Sequence, residues 1–99
     1  MKVVAVTSCA TGIAHTYMAA EAIQKVCKAN GHKCKVEKQG ALGIEDELKA
    51  KDIEEADLIV FANDVGLINP ERFDAYKDKV LQTKPHDVIK NPDLIFEKK

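Results

Sequence analysis

The sequence predicts a single α/β domain in which a small parallel β-sheet is flanked by helices. Three observations lead to this fold class. The chain has 99 residues, about the size of one domain, so we expect residues 1–99 to share one core. Segments with strand-like and helix-like spacing alternate along it. Residues 58–62 are apolar at every position, which is typical of a strand covered on both faces of a parallel sheet.

The composition indicates a globular protein and excludes several other classes. Hydrophobic residues make up 45% of the chain and charged residues 31%, and no apolar run approaches the roughly 18 residues of a membrane span or the length of a signal peptide. The net charge of −1 lacks the basic excess that nucleic-acid binding requires. Three cysteines without a Cys-x-x-Cys pair predict reduced thiols rather than a disulfide framework. We therefore expect a cytoplasmic protein that does not bind nucleic acid.

The first part of the chain predicts a strand, a loop, a helix and a second strand. Residues 2–6 form a β-branched apolar run, and the spacing becomes helical from about His15 to Ala29. Asn30 and Gly31 predict the end of that helix, because both tolerate a left-handed backbone. In residues 33–37 apolar and charged side chains alternate. This pattern predicts a short edge strand whose charged members, Lys33, Lys35 and Glu37, face solvent.

The remainder of the chain gives less regular signals. Residues 39–43 predict a loop, and residues 44–56 predict a helix that is broken where Asp52 caps a new turn at Ile53. The apolar segment 58–62 is predicted to be the central partner of the first strand. The other predicted elements are a turn at Asn69-Pro70, a short strand at 79–82 and a terminal helix at 92–97.

The loop between the first strand and the first helix has the composition of a phosphate-binding site. Ligands of parallel sheets bind at the carboxyl ends of strands, where Cys9 is expected. Gly12 permits a tight turn, and the free N–H groups at the start of the helix favour an anion. Such a setting lowers the pKa of a thiol from about 8.5 into the range of roughly 3.5–7.5, so Cys9 is predicted to be a nucleophile. The predicted phosphate-binding residues are Ala10, Thr11, Gly12, Ile13, Ala14, His15 and Thr16.

The loop also allows a simpler interpretation. Cys9 alone could be a small buried hydrophobe that ends a strand. The combination of thiol, glycine, strand end and helix start favours instead a covalent adduct held by backbone amides, such as a phosphocysteine. Neither the Walker pattern nor Gly-x-Gly-x-x-Gly is present, so a nucleotide is not the expected ligand.

The segment 7–21, with its string Cys-Ala-Thr-Gly-Ile-Ala-His-Thr, resembles the phosphocysteine loop and first helix of fructose-type enzyme IIB of the bacterial sugar phosphotransferase system (PTS). Segments 36–45, 57–64 and 71–73 resemble the same family, so the similarity covers essentially the whole chain. Ala10 departs from the family, which usually has proline there. Alanine leaves the loop with one more N–H donor and a less restricted backbone.

The resemblance implies a four-stranded parallel sheet and a phosphocarrier that needs no cofactor and no metal. Cys9 would accept a phosphoryl group from a phosphohistidine of enzyme IIA. It would then pass that group to a sugar, fructose or a related hexose, bound by the membrane enzyme IIC. IIC is expected to be a separate chain or a part of the protein beyond this sequence, and the IIB domain to associate peripherally with it.

Two other functions remain open on the residues alone. A cysteine-dependent phosphatase of the low-molecular-weight type requires Cys-x₅-Arg, but His15 stands at the arginine position and the only arginine is Arg72. Asp64, just after the central strand, is either an approaching general acid or a turn residue. The other alternative is a noncatalytic module whose loop binds a free anion.

The sequence also contains three histidines and two cysteines besides Cys9. His15 either contacts a phosphoryl oxygen or stabilises the loop backbone. His32 and His86 are predicted to be solvated. The set Cys27, His32 and Cys34 has a spacing that matches no common zinc site, so no metal is expected.

Overall fold

A mixed five-stranded sheet forms the centre of the described part of the protein. The computed structural model describes residues 2–8, 13–40, 43–67 and 70–97. The strands are β1 Lys2–Ser8, β2 Lys33–Gly40, β3 Gly43–Glu45, β4 Leu58–Asn63 and β5 Val80–Thr83. Their order is β3-β2-β1-β4-β5, with β3 antiparallel to β2 and the other neighbours parallel. The α/β class is confirmed, and four of the strands are parallel, but the sheet is mixed and five-stranded rather than purely parallel, because the antiparallel β3 lies beside β2.

Helices cover both faces of this sheet. They are α1 Ile13–Ala29, α2 Ala50–Glu55, α3 Pro85–Lys90 and α4 Leu94–Glu97, with a 3₁₀ segment at Pro70–Lys79. Buried side chains of α1, α3 and α4 pack on one face against Val3, Ala5 and Val60. Those of α2 and the 3₁₀ segment pack on the other face against Val4 and Val6. Two apolar cores therefore sandwich β1.

Strands β1 and β4 lie side by side at the middle of the sheet. Their parallel register runs from Val3–Leu58 to Ser8–Asn63. Every residue from 3 to 8 is buried. The continuous apolar run in β4 reflects the covering of both faces, so the prediction that it is the central partner of β1 is confirmed.

Helix α1 begins at Ile13, within the predicted phosphate-binding loop and two residues before the predicted start near His15, and it ends where the sequence predicts. The N–H of Gly31 donates to the Lys28 carbonyl at 3.1 Å, and the N–H of His32 donates to the Cys27 carbonyl at 2.9 Å. These two bonds form a Schellman motif, which needs a left-handed residue after the helix. Gly31 supplies it with a φ of +74°.

The segment 39–56 differs most from its prediction. Ile44 belongs to β3, which pairs with the end of β2, and the helix expected over 44–56 is confined to Ala50–Glu55. Gly43 makes the hairpin feasible through its φ of +104°. Asp52 does act at a helix start, but its carboxylate accepts the Lys49 N–H at 3.0 Å and so stabilises the first turn of α2 rather than a turn beginning at Ile53.

The C-terminal elements were predicted only in part. Strand β5 confirms the strand expected at 79–82. The terminal helix begins at Leu94 rather than Pro92, and α3 was not predicted. Helix α3 starts at Pro85, a residue suited to the first turn because it has no N–H to leave unpaired. Pro70 begins the 3₁₀ segment, whereas Asn69 lies outside the described residues.

Candidate functional site

The sheet order places a switch point at the carboxyl end of β1. After β1 the chain forms β2 on one side of it, and later forms β4 on the other side. Such a reversal opens a crevice outside the carboxyl ends of the two strands, where α/β proteins bind their ligands. Residues 9–12 connect the end of β1 to the start of α1 at this point.

The predicted site residues fall into two groups. Cys9, Ala10, Thr11 and Gly12 lie outside the described residues. The other four predicted residues open α1 in the order Ile13, Ala14, His15 and Thr16. With 17 residues, α1 is long enough for its dipole to present a positive N-terminal end to this connection.

Two buried threonine hydroxyls flank the connection. Thr7 lies two residues before Cys9 and is 0% exposed, and Thr16 lies in the first turn of α1 and is 3% exposed. Within the described ranges the Oγ1 atoms of both residues lack a hydrogen-bond partner. Strand alternation places Thr7 on the same face as Val3 and Ala5, which is the face that α1 covers. Buried hydroxyls usually have partners. These two, next to the connection, are placed so that they could donate to a ligand bound there.

His15 meets His86 across the gap between α1 and α3. The two ring centroids are 4.7 Å apart and the ring planes are inclined at 62°, an edge-to-face contact. His15 is half-buried, whereas His86 is exposed. The prediction that His86 is exposed to solvent is thus confirmed. Its contact with His15 was not predicted, because that contact depends on the pairing of β5 with β4, which precedes α3.

Asp64 lies beside the end of β1. Its backbone N–H donates to the Ser8 carbonyl at 3.2 Å, which extends the pairing of β4 with β1 by one residue. Its side chain is exposed. Asp64 lies in a bend directly after β4, which agrees with the interpretation of it as a turn residue; its approach to residues 9–12 falls outside the described residues.

Arg72 is engaged elsewhere, in a buried ion pair. Its Nη1 and Nη2 donate to Oε1 and Oε2 of Glu37, each at 2.9 Å. Glu37 is 0% exposed and also accepts the Leu48 N–H at 2.8 Å and the Gln39 amide at 2.7 Å. Burial acts to raise the pKa of the Glu37 carboxyl, but the bonds from Arg72, Gln39 and Leu48 together hold it below its ordinary value. The same pair raises the pKa of Arg72.

Comparison with known proteins identifies the family. The sequence profile described as "PTS system, Lactose/Cellobiose specific IIB subunit" matches residues 4–98. The chain belongs to the PTS IIB family. This IIB chain is 42% identical over 97 residues to "PTS system fructose-like EIIB component 2" of Escherichia coli (strain K12), covering 98% of the chain and 90% of that relative. PTS IIB components are phosphotransferases, and the resemblance on which the sequence analysis relied is confirmed.

Two further relatives bear on the fold and the partners of this IIB chain. A solution structure of the enzyme IIB subunit of the PTS from Escherichia coli K12 superimposes with a TM-score of 0.89 at 37% identity, covering 98% of this chain and 88% of that one. The "Fructose-like PTS system EIIBC component" of Escherichia coli (strain K12) is 40% identical over 96 residues, covering 97% of this chain but only 20% of that protein. No helix within the described ranges of the IIB chain is both long and apolar enough to cross a membrane.

Sequence reasoning missed the buried ion pair between Glu37 and Arg72. Glu37 was predicted to face solvent on an edge strand, which is wrong, because β2 lies between β1 and β3 and because Leu48 and Arg72 cover Glu37. The signal available in the sequence was Arg72 itself, the only arginine of the chain. A guanidinium is the group best suited to a buried bidentate carboxylate pair.

The other two cysteines are structural in this IIB chain. Cys27 is fully buried in the core beneath α1, and Cys34 packs against the same cluster. A hydrogen bond with Cys27, together with burial, raises the pKa of the Cys34 thiol. His32 packs its ring on Phe96 at 5.1 Å between centroids. Among the described residues no three potential metal-ligating side chains converge.

Proposed function

We propose that this IIB chain is a phosphocarrier whose Cys9 accepts a phosphoryl group from a phosphohistidine of enzyme IIA and transfers it to a sugar bound by membrane enzyme IIC. The observation that carries the proposal is topological. Cys9 directly follows the last residue of β1, the strand at which the sheet order reverses, and helix α1 starts four residues later. This is where an α/β protein binds a phosphate.

Each transfer is a substitution at phosphorus. The Cys9 thiolate attacks the phosphoryl group, an S–P bond forms, and the P–N bond of the phosphohistidine breaks as its imidazole leaves and recovers a proton. A sugar hydroxyl then attacks the same phosphorus. The S–P bond breaks, the thiolate is regenerated, and the hydroxyl proton is lost to solvent or a base. The predicted loop residues, from Ala10 to Thr16, would surround the phosphoryl oxygens during both steps.

The electrostatic setting favours both the thiolate and its adduct. The positive end of α1 stabilises a thiolate before transfer and the anionic thiophosphate after it. The Oγ1 atoms of Thr7 and Thr16, buried and unpaired among the described residues, add two donors on the α1 side of the sheet. Donors held in place in this way act without reorganisation when the charge arrives.

A cysteine phosphatase is less well supported by the same geometry. Its loop needs a guanidinium that holds the phosphate with two hydrogen bonds. In this chain His15 occupies that position, and both terminal nitrogens of Arg72 donate hydrogen bonds to Glu37. Transfer from a phosphohistidine needs less assistance, because that phosphoramidate bond is already energetic. The proximity of Asp64 to Ser8 does not compensate for the missing guanidinium.

The partners and the sugar are inferred from the relatives. A relative named as an EIIBC component joins a IIB-like part to a longer protein, which supports a membrane IIC partner and a peripheral cytoplasmic location at that permease. The IIA donor rests on the resemblance of the loop. Fructose or a related hexose is the proposed acceptor, since the similar curated proteins are named fructose-like.

Intact-mass measurement tests the proposal directly. The chain is incubated with enzyme I, the phosphocarrier HPr, a fructose-type IIA and phosphoenolpyruvate. We expect one added phosphoryl group, mapped to Cys9 by peptide analysis. The variant Cys9→Ser should remain unlabelled, whereas the matched variant Cys34→Ser should label like the wild type. An increment that maps to His15, or equal labelling of Cys9→Ser, contradicts the carrier role of Cys9. Reversible phosphate binding without a mass increment would instead support the anion-binding module.

A further inference from the structure

The contact between His15 and His86 joins two elements that are far apart in sequence. His15 is the third residue of α1, and His86 is the second residue of α3. Their rings meet edge to face at 4.7 Å, within the usual range for a favourable aromatic pair. The contact lies in the first turn of the helix that follows the predicted phosphate-binding loop.

The position of His86 is fixed by the fold. Strand β5 pairs in parallel with β4 as far as Ala62–Thr83, and α3 begins two residues after Thr83. Pro85 and Val88 on either side of His86 are buried, and Val88 belongs to the same core cluster as the inner face of α1. The helix that carries His86 is therefore anchored, which holds the backbone of His86 beside the start of α1 and brings its exposed ring against His15.

Two imidazoles in edge-to-face contact can assist a site that gains negative charge when a phosphoryl group is bound. An aromatic ring has an electron-rich face and an electron-poor edge, so an edge-to-face contact restricts the ring orientation of each partner. A phosphoryl group on Cys9 adds negative charge near the first turn of α1, which favours an imidazole N–H that donates to it. A donor whose ring is already oriented loses little conformational freedom when it makes that bond.

We propose that His86 is a positioning residue of the phosphocysteine site: its ring orients the His15 imidazole so that a His15 N–H donates to a phosphoryl oxygen carried by Cys9. This inference rests on the proposed function. It adds a residue from α3, outside the loop, that acts on the phosphoryl group only through His15.

Three variants separate positioning from general packing. His86→Ala removes the contact, His86→Phe keeps an aromatic ring without a titratable group, and His32→Ala removes a comparable ring contact with Phe96 away from the loop. We expect His86→Ala to lower the rate of phosphoryl transfer from phosphorylated IIA to Cys9 about tenfold, the rate equivalent of one charge-assisted hydrogen bond. His86→Phe should stay within about twofold of the wild type on the same scale, and His32→Ala should transfer at the wild-type rate.

Imidazole ¹⁵N resonances supply a readout that packing alone would not move. In the wild type, phosphorylation of Cys9 should shift the His15 ring signals and leave those of His32 in place. In His86→Ala the His15 shift should largely disappear, while thermal unfolding stays close to that of the wild type because His86 is exposed. His86→Phe should retain the shift.

The outcomes distinguish this inference from the proposed function. If wild-type Cys9 is phosphorylated but His86→Ala transfers at the wild-type rate with an unchanged His15 shift, His86 does not position His15. If His86→Phe is as slow as His86→Ala, His86 acts through its own nitrogens and the inference is also wrong. If the wild type acquires no phosphoryl group on Cys9, the proposed function fails, and this inference fails with it.

Discussion

At the scale of single residues, buried polar groups separate the site from the scaffold. Glu37 is fully buried and has four hydrogen bonds, including two from Arg72, so it behaves as part of the core. Thr7 and Thr16 are buried beside the predicted loop, and no described residue pairs with their hydroxyls. A satisfied buried group contributes to stability, whereas an unsatisfied one costs free energy and is tolerated where it serves a ligand.

Thr16→Val is expected to separate stability from function. Valine has nearly the same shape and removes a buried hydroxyl that has no described partner, so the free energy of unfolding should stay within about 1 kcal/mol of the wild type or rise. Phosphoryl transfer to Cys9 should slow by roughly tenfold, because one donor to the phosphoryl group is lost.

The matched control for that variant is Thr83→Val. Thr83 is 5% exposed and its hydroxyl is likewise unpaired among the described residues. It ends β5 at the same edge of the sheet, but two strands away from β1. Urea unfolding and transfer kinetics are measured for both variants. Equal transfer rates for Thr16→Val and Thr83→Val would remove Thr16 from the site.

Arg72→Met should destabilise the protein strongly. It leaves the Glu37 carboxylate buried without its ionic partner, a change that costs about 3–5 kcal/mol. The half-exposed pair Lys35–Asp52, with an N–O distance of 2.9 Å, supplies the control, since Lys35→Met should cost only about 0–1 kcal/mol. Urea unfolding at pH 7 gives both values. A loss below about 1 kcal/mol for Arg72→Met would show that the ion pair contributes little.

The pH dependence of stability follows from the same pair. The folded state holds the pKa of Glu37 below its unfolded value of about 4.3, so this contribution is fully present above about pH 4.3. It disappears as the pH falls through the lower folded value. The stability difference between the wild type and Arg72→Met should therefore shrink on acidification, because protonation removes the unpaired charge in the variant. Urea unfolding of both proteins between neutral and acidic pH measures this difference, and a constant difference would contradict the argument.

At the scale of elements, the ends of α1 have different roles. Its N-terminal end faces the predicted phosphate-binding loop, where unpaired N–H groups are useful to an anion. Its C-terminal end is closed by the Schellman motif at Gly31, which satisfies carbonyl groups and turns the chain toward β2. The C-terminal end of α1 is thus fixed by hydrogen bonds, whereas the N–H groups of its N-terminal end can bind an anion.

Gly31→Ala should destabilise the protein by about 1–2 kcal/mol through backbone strain alone. A Cβ added at Gly31 meets nothing within 4 Å, but the φ of +74° is unfavourable for alanine. Gly66→Ala is the control, because a Cβ there also meets nothing within 4 Å and no left-handed φ is involved. Thermal or urea unfolding of the pair measures the difference. Equal stabilities would mean that the turn after α1 adapts to alanine without strain.

At the scale of the whole molecule, the sheet brings the loop, the end of β4 and the start of α3 to one edge. Parallel strands β1, β4 and β5 all end there, so the residues that follow each strand become neighbours. Both terminal nitrogens of Arg72 are bonded to Glu37. The proposed phosphate site therefore relies on hydroxyls, imidazoles and helix N–H groups rather than on a guanidinium clamp.

Aryl phosphate turnover should consequently be negligible. Without a guanidinium at the position of His15, attack on an unactivated phosphate ester lacks its main charge stabilisation. Release of p-nitrophenol from p-nitrophenyl phosphate is followed for the wild type and Cys9→Ala, with an authentic cysteine phosphatase as the reference. Turnover within about tenfold of that reference, lost in Cys9→Ala, would favour the phosphatase instead.

Patterns that are local in the chain could be predicted from the sequence. The alternation of apolar strands with an amphipathic helix, the helix end at Gly31, the central position of β4 and the candidate loop at Cys9 all depend on residues within a few positions of one another. Their physical causes are backbone preference, periodicity of burial and the free N–H groups of a helix start, each of which acts over short distances.

Only the tertiary structure decided which distant groups meet. The sequence predicts that Glu37 faces solvent, but Arg72, 35 residues later, covers it in the folded chain. It also predicts a helix at residues 44–45, which instead form part of β3 and pair with β2. His86 contacts His15 only because α3 packs beside α1. In each case the free energy comes from a partner that is remote in the chain, so no local pattern contains it. The sequence by itself therefore determined the fold class and pointed to the candidate loop, whereas the packing of the sheet and its helices determined which remote residues lie beside the start of α1.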